Sequence, residues 1–422
     1  MRRMLSRVQS DRGQVIIFFV VAFTVVTVIG VFAFDFGLWF NSRRSLQTDV
    51  DMAALAGAQE LAKDLSVTPG GPEDLGWAVA GQDKALEYLQ KNGLSPDTVI
   101  APGPPACPAH DDLGADSTDA FICADTSCFE GAGDIGLIDT VVADAQGPAT
   151  GVFTRILNSL LRRNAVSESL VVGAHAKACV GSLTGTTGLR PWIISIETSP
   201  CFESINGIDM PLFGEDCVLR SDNPDQTGSI RLNPDPGTCG GGSGASDYKE
   251  NIVEGSEGWC RIGDIIDTEP GFSTGPTKAG IQELLATEGD CNDKYCADYG
   301  VCQPARIDDF GEALYPPDVT PSPDVVYTAR DCTTPRIVDI VIVDSFDGQG
   351  MDDAPIRGFA SFFVFGCSPV DKKTGELGPI DPKCDLSGGD FAIVGRFMNV
   401  LKLDGTGGAL DPFGTRIIFL AE

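Results

Sequence analysis

Fourteen cysteines, three clusters of aspartates and two histidines are the residues of this chain whose chemistry reaches beyond packing. The cysteines are Cys107, Cys123, Cys128, Cys179, Cys201, Cys217, Cys239, Cys260, Cys291, Cys296, Cys302, Cys332, Cys367 and Cys384. None lies in the first 106 residues. An even count confined to one part of the chain argues for disulfides formed in an oxidising compartment, each stabilising by about 2–4 kcal/mol. Zinc is the rival use. Cys291, Cys296 and Cys302 cluster tightly, but there is no Cys-x2-Cys pair and only His110 and His175 offer nitrogen ligands. Spacing alone does not give the disulfide connectivity.

Calcium is the one cofactor the acidic groups suggest. Asp222 with Asp225, and Asp290 with Asn292 and Asp293, are two short clusters; Asp344, Asp347, Asp352 and Asp353 form the best candidate. Calcium wants six to eight oxygens from alternating loop positions, and Asp344-x-x-Asp347-Gly348 is not a full loop of that kind. A solvated acidic turn is the ordinary alternative for all three. His175 stands in an alanine-rich stretch with no cysteine or serine constellation, which reads as a packed or surface histidine. Gly240-Gly241-Gly242-Ser243-Gly244 lacks the Gly-Lys-Ser/Thr ending of a phosphate loop and reads as a flexible link. His-Glu-x-x-His is absent. No catalytic or cofactor-binding residue is assigned, and the chain is read as a non-enzyme.

The elements that would position these groups begin with a membrane segment. Val15 to Phe34 is an uncharged, apolar run of twenty residues, long enough to span a hydrocarbon layer of about 30 Å. Arg2, Arg3, Arg7 and Arg12 precede it, so the positive-inside bias leaves the N-terminus in the cytoplasm and places the rest outside. The run is longer than a signal-peptide core and ends without Ala-x-Ala, so a retained anchor in the cytoplasmic (inner) membrane is expected. Trp39 and Phe40 would sit at the outer interface. No proline occurs from Asp35 to Asp64, and Leu38, Leu46, Val50, Ala53, Gly57, Leu61 and Leu65 mark one helical face. Ala53, Ala54, Ala56, Gly57 and Ala58 keep part of it small, which lets a neighbouring helix approach closely. Asp49 and Asp51 lie off the stripe and read as solvated.

The net charge is −30, and residues after Thr48 carry 24 basic and 58 acidic side chains, a net of −34. Such a surface repels nucleic acid, so no nucleic-acid partner is expected. Fifty glycines and 27 prolines favour short elements and many turns. The predicted layout is a cytoplasmic N-terminus at 1–14, a transmembrane helix at 15–34, a helical stalk at 35–66, an exported α/β part at 73–199, a Cys/Gly/Pro/Asp-rich insertion at 200–335 and a β-rich part at 336–422. Glu73 to Lys91 reads as an amphipathic helix capped by Asn92-Gly93. Strands are predicted at 169–172, 192–196, 336–343, 359–365, 391–403 and 415–420, the last three as an antiparallel meander. The fold class is α+β: a long N-terminal helix, then an exported domain with a helix, an antiparallel sheet and a loop-rich, disulfide-bonded insertion.

The order Arg12-Gly13-Gln14, apolar helix, Asp35-Phe36-Gly37, Arg43-Arg44, Leu46-Gln47, Asp51 and Met52-Ala53-Ala54-Leu55-Ala56-Gly57-Ala58 resembles the N-terminal module of TadE/TadG-like proteins of the tight-adherence, Flp-type pilus-assembly system. Later strings, among them Phe153-Thr154-Arg155-Ile156-Leu157 and Gly188-Leu189-Arg190-Pro191-Trp192, resemble the larger TadG-like members. The resemblance implies a cell-envelope protein of pilus assembly or surface attachment with no catalytic residues. Its partners would be the membrane and other pilus-assembly or pilin-like proteins met through the N-terminal helix. Pilin-like relatives are trimmed after a glycine followed five residues later by Glu; here Gly13 is the processing candidate, and Phe18 takes the Glu position. Asp344-Ser345-Phe346-Asp347-Gly348 lacks the serines of the metal-dependent adhesion motif that larger members carry. Two alternatives stand beside this reading: a minor pilin cut after Gly13, and an extracellular binding protein or enzyme that uses the helix only as an anchor.

Overall fold

The computed structural model describes residues 11–64, 76–94, 98–99, 121–125, 128, 139–150, 169–205, 207–213, 215–221, 227–242, 244–269, 274–286, 290–291, 326–328, 332–333, 335–346, 353–371, 374–386, 390–402, 405–413 and 415–421. Helix α1 runs unbroken over Asp11–Asp64, as a proline-free stretch should, and at 1.5 Å per residue it is about 80 Å long. Helix α2 covers Gly76–Lys91. It stops where Gly93 turns to φ 79 and the Leu94 N–H donates to the Leu89 carbonyl while the Gly93 N–H donates to that of Gln90. That left-handed glycine cap is the one Asn92-Gly93 predicts.

Two groups of strands within one extended sheet build the core. The first layer is Phe121–Asp125 (β1), Thr140–Thr150 (β2) and Ser169–Thr186 (β3), all antiparallel neighbours, with β2 and β3 in register from Thr140–Cys179 to Thr150–Ser169. Alternation puts Val141, Ala143 and Ala145 of β2, and Val172, Ala174, Ala176 and Ala178 of β3, into one core cluster with α1 and α2. Small side chains on the strands let the helix lie close to the sheet.

The second layer is built from Leu189–Ser195 (β4), Cys217–Arg220 (β5), Thr227–Ile230 (β6), Ile265–Glu269 (β7), Ile337–Val343 (β8), Asp353–Pro355 (β9), Gly358–Pro369 (β10) and Phe391–Lys402 (β11). The ladder runs β7, β6, β4, β8, β10, β11, β5; only β4 and β8 pair in parallel. Helices α3 (Ala245–Val253) and α4 (Thr274–Ala286) supply Tyr248, Ile252, Ile281 and Leu284 to the face formed by Trp192, Ile340, Phe362 and Phe397. A buried polar network centres on the Tyr248 hydroxyl. Trp192 Nε1 donates to it at 3.2 Å, and it shares a hydrogen bond with Ser229 Oγ at 2.9 Å.

The α+β class stands, and three details differ from the sequence reading. The final strand, Thr415–Leu420 (β12), does not complete a meander. β10 and β11 are antiparallel, but β12 runs parallel to the end of β11 and antiparallel to β3. The chain leaves β11 at Lys402 and returns through Thr406–Gly408, which pairs with β3, so the link is a crossover rather than a hairpin. Inside 200–335, where composition suggests loops, α3 and α4 form. Each offers few buried apolar positions between glycine- and proline-rich flanks, too short a run for periodicity to show. Within the glycine run after Cys239, Gly242 is packed, since a Cβ there would lie 2.0 Å from the Leu232 carbonyl oxygen, while Gly241 and Gly244 stand exposed with nothing within 4 Å of theirs.

Candidate functional site

The feature that divides this molecule is α1. From Ile16 to Phe34 it bears no charge, and its large side chains stand exposed, Phe18 at 73% and Phe19 at 69%. Even the two hydroxyls are satisfied internally: Thr24 Oγ1 donates to the Val20 carbonyl and Thr27 Oγ1 to that of Phe23, each at 2.8 Å. A helix whose polar groups are all bonded to its own backbone is what a hydrocarbon environment tolerates. It is long and apolar enough to cross a membrane, with a mean hydropathy of 2.9 over its most apolar stretch.

From Leu46 onward the same helix is core. Leu46, Val50, Ala53, Ala54, Ala58, Leu61 and Ala62 are buried against α2, β2 and β3. The predicted stripe is therefore filled within the chain from Leu46 to Leu61, whereas Leu38 is exposed and Leu65 lies outside the described residues. The small face meets α2: a Cβ on Gly57 would lie 2.8 Å from the Gly81 carbonyl oxygen and 2.8 Å from Val141 Cγ1, and a Cβ on Gly81 would lie 3.0 Å from the Gly57 oxygen. The neighbouring helix that the alanines and glycine admit is this protein's own.

Gln47 ties the helix to the sheet. Its Nε2 donates to Asp51 Oδ1 and to the His175 carbonyl oxygen, both at 2.7 Å. Asp51 is thus a hydrogen-bond partner rather than a solvated charge. Removal of both bonds in Gln47→Ala is expected to lower domain stability by about 1–2 kcal/mol, read from the urea midpoint of the full-length protein. An unchanged midpoint would mean the amide does not hold the helix down.

Gly13, Gln47, Asp51 and the Ala53–Ala58 string all lie on this one helix, with the docked part accounting for the polar and small positions. Residues 13–60 match the model of the putative Flp pilus-assembly TadE/G-like family. No curated protein and no solved structure matches the chain. The TadE/G-like segment is thus about one turn of helix shorter at its end than α1, and it spans both the exposed and the buried half. Its Leu46, Gln47, Val50, Asp51 and small residues make the docking contacts, and its apolar residues from Ile16 to Phe34 are the exposed ones.

The other predicted groups are described only in part. Asp344 pairs with Arg357 at 3.6 Å, Asp353 faces Asp267 across β9 and β7, and Asp347 and Asp352 lie outside the described residues. So do Asp222, Asp225, Asn292 and Asp293. Among the described residues no three His, Cys, Asp or Glu side chains gather where a metal could be held. His175 Nδ1 lies 3.2 Å from the buried Asp144 Oδ2, on strands β3 and β2. Among the described residues Cys128 pairs with Cys179, Cys201 with Cys217, Cys239 with Cys260 and Cys367 with Cys384, and Cys123 is disulfide-bonded as well. Cys291 and Cys332 stand opposite one another in a short antiparallel ladder. Cys107, Cys296 and Cys302 lie outside the described residues. One string escaped the sequence reading: Gly271-Phe272-Ser273-Thr274-Gly275 has nucleophile-elbow spacing and leads into α4. Its first three residues lie outside the described ones, and the described histidine is His175, committed to the α1 layer.

Proposed function

We propose that this chain is a membrane-anchored envelope protein of TadE/TadG-like type, serving pilus assembly or surface attachment through protein contacts rather than catalysis. The observation that carries it is the division of one continuous helix, inside the family-matched span, into an exposed apolar half and a docked half. The N-terminus is on the cytoplasmic side and the disulfide-bearing domain outside, an orientation supported by the four leading arginines and by bridges that need an oxidising compartment. A second reading draws on the same geometry. A helix half free and half packed on a sheet can stack with its like in a filament, as a minor pilin cut after Gly13.

The intact mass of the membrane-extracted protein decides between them. A full-length mass is expected for the fixed anchor. Loss of residues 1–13 would move the chain to the minor-pilin reading. Loss of everything through about Phe34 would leave a secreted protein and end the anchor reading.

A further inference from the structure

The folded domain begins close above the apolar cylinder. Phe36 and Phe40 are exposed at 57% and 59%, whereas Trp39, between them, packs against the core cluster of the first layer. The Phe36 and Trp39 rings lie 5.7 Å apart. Leu46, a single turn further than Asn41 and Ser42, is already buried. Trp39 is five residues past Phe34, about 7 Å along the axis, which is about the depth of one headgroup layer. There is no room for a free stalk between membrane and domain.

Arg43 and Arg44 occupy this collar and are exposed. Six other cations, Lys84, Lys91, Lys249, Arg357, Arg396 and Lys402, each meet a carboxylate. Among the described residues Arg43 and Arg44 meet none, as is true also of Arg261 and Lys383 far from the apolar half, although the chain beyond the two arginines is net −34. They start about 13–15 Å past Phe34. Side chains on a helix slope toward its N-terminus, here toward the apolar half, and an arginine reaches about 6 Å, which brings both guanidinium groups down to phosphate level. Planar guanidinium groups suit phosphate oxygens in a two-pronged contact.

Resting on the membrane-anchor reading above, we propose that Arg43 and Arg44 clamp the phosphates of anionic lipid headgroups in the leaflet beneath the domain, and that the domain sits on that leaflet. The arginines offset, at the point of contact, the repulsion that an acidic domain meets at an anionic surface.

The test uses full-length protein in bilayers of equal phosphatidylglycerol and phosphatidylcholine, with the lipids retained after mild extraction counted by native mass spectrometry. Wild type is expected to retain phosphatidylglycerol in excess. R43Q/R44Q should reduce that excess by about ten-fold or more, each arginine near an anionic surface being worth roughly five-fold. R43K/R44K, which keeps the charge, should retain most of it. Arg261→Gln is the control: Arg261 pairs at Gly185 of β3, ten residues from His175, about 33 Å along the strand from where Gln47 docks. An R43Q/R44Q protein that inserts in the bilayer and keeps its phosphatidylglycerol excess overturns the clamp alone. A wild type that fails to float with the vesicles overturns the anchor reading and the clamp with it.

Discussion

Gly57→Leu is expected to undock α1 from the folded domain. A bare Cβ at this position already lies 2.8 Å from the Gly81 carbonyl oxygen, 2.8 Å from Val141 Cγ1 and 3.0 Å from Ala85 Cβ. Two of these belong to backbone or strand, which cannot swing aside as a long side chain can. Gly57→Ala should therefore cost about 1–3 kcal/mol, and Gly57→Leu more than about 3 kcal/mol, the upper range for overpacking. The same helix contains its own control. A methyl group added at Gly30 or Gly37 would meet nothing within 4 Å, so Gly30→Ala and Gly37→Ala should leave domain stability unchanged. Urea unfolding and hydrogen exchange across α2 would report the difference. Equal midpoints for Gly57→Leu and wild type would show that the two helices do not cross where Gly57 and Gly81 meet.

Reduction of the disulfides should unfold the second layer before the first. Cys201–Cys217, Cys367–Cys384 and Cys239–Cys260 close loops of 16, 17 and 21 residues, and Cys128–Cys179 spans 51. The chain-entropy model assigns about 3 kcal/mol to each short loop and about 4 kcal/mol to the long one. Against a typical net stability of about 5–15 kcal/mol, losing them together is decisive. The second layer depends on them more. Cys201, Cys217, Cys367 and Cys384 are part of its core cluster, whereas the cluster around α1 and α2 contains no cysteine. Exchange in β10 and β11 should accelerate on adding reductant, with α1 from Leu46 to Ala62 slower to follow. A fully reduced protein with unchanged exchange in β10 and β11 would refute the dependence. Thiols that alkylate before any reduction would overturn the oxidising compartment itself.

The anchor was legible because it depends on local properties. Twenty uncharged apolar residues are long enough to cross a membrane whatever follows, and the absence of proline carries the helix on to Asp64. The cap at Gly93 was legible for the same reason, since a left-handed turn selects its residue. Gln47 and Asp51 were visible as a pattern but not as a contact. One of their partners, the His175 carbonyl, is 128 residues away, and its strand register depends on β2 as well. The path of β12 was hidden too, because Thr415–Leu420 suits either a hairpin partner or β3 equally well by composition. What could be read from the chain alone is thus the long apolar helix and the class of fold, each set by runs of neighbouring residues. What only the folded molecule decides is which surface the small helical face meets, which cysteines pair and where along α1 the packed core begins. Those depend on contacts between residues far apart in sequence, and the chain's own α2 and β3 win them because they are tethered close at hand.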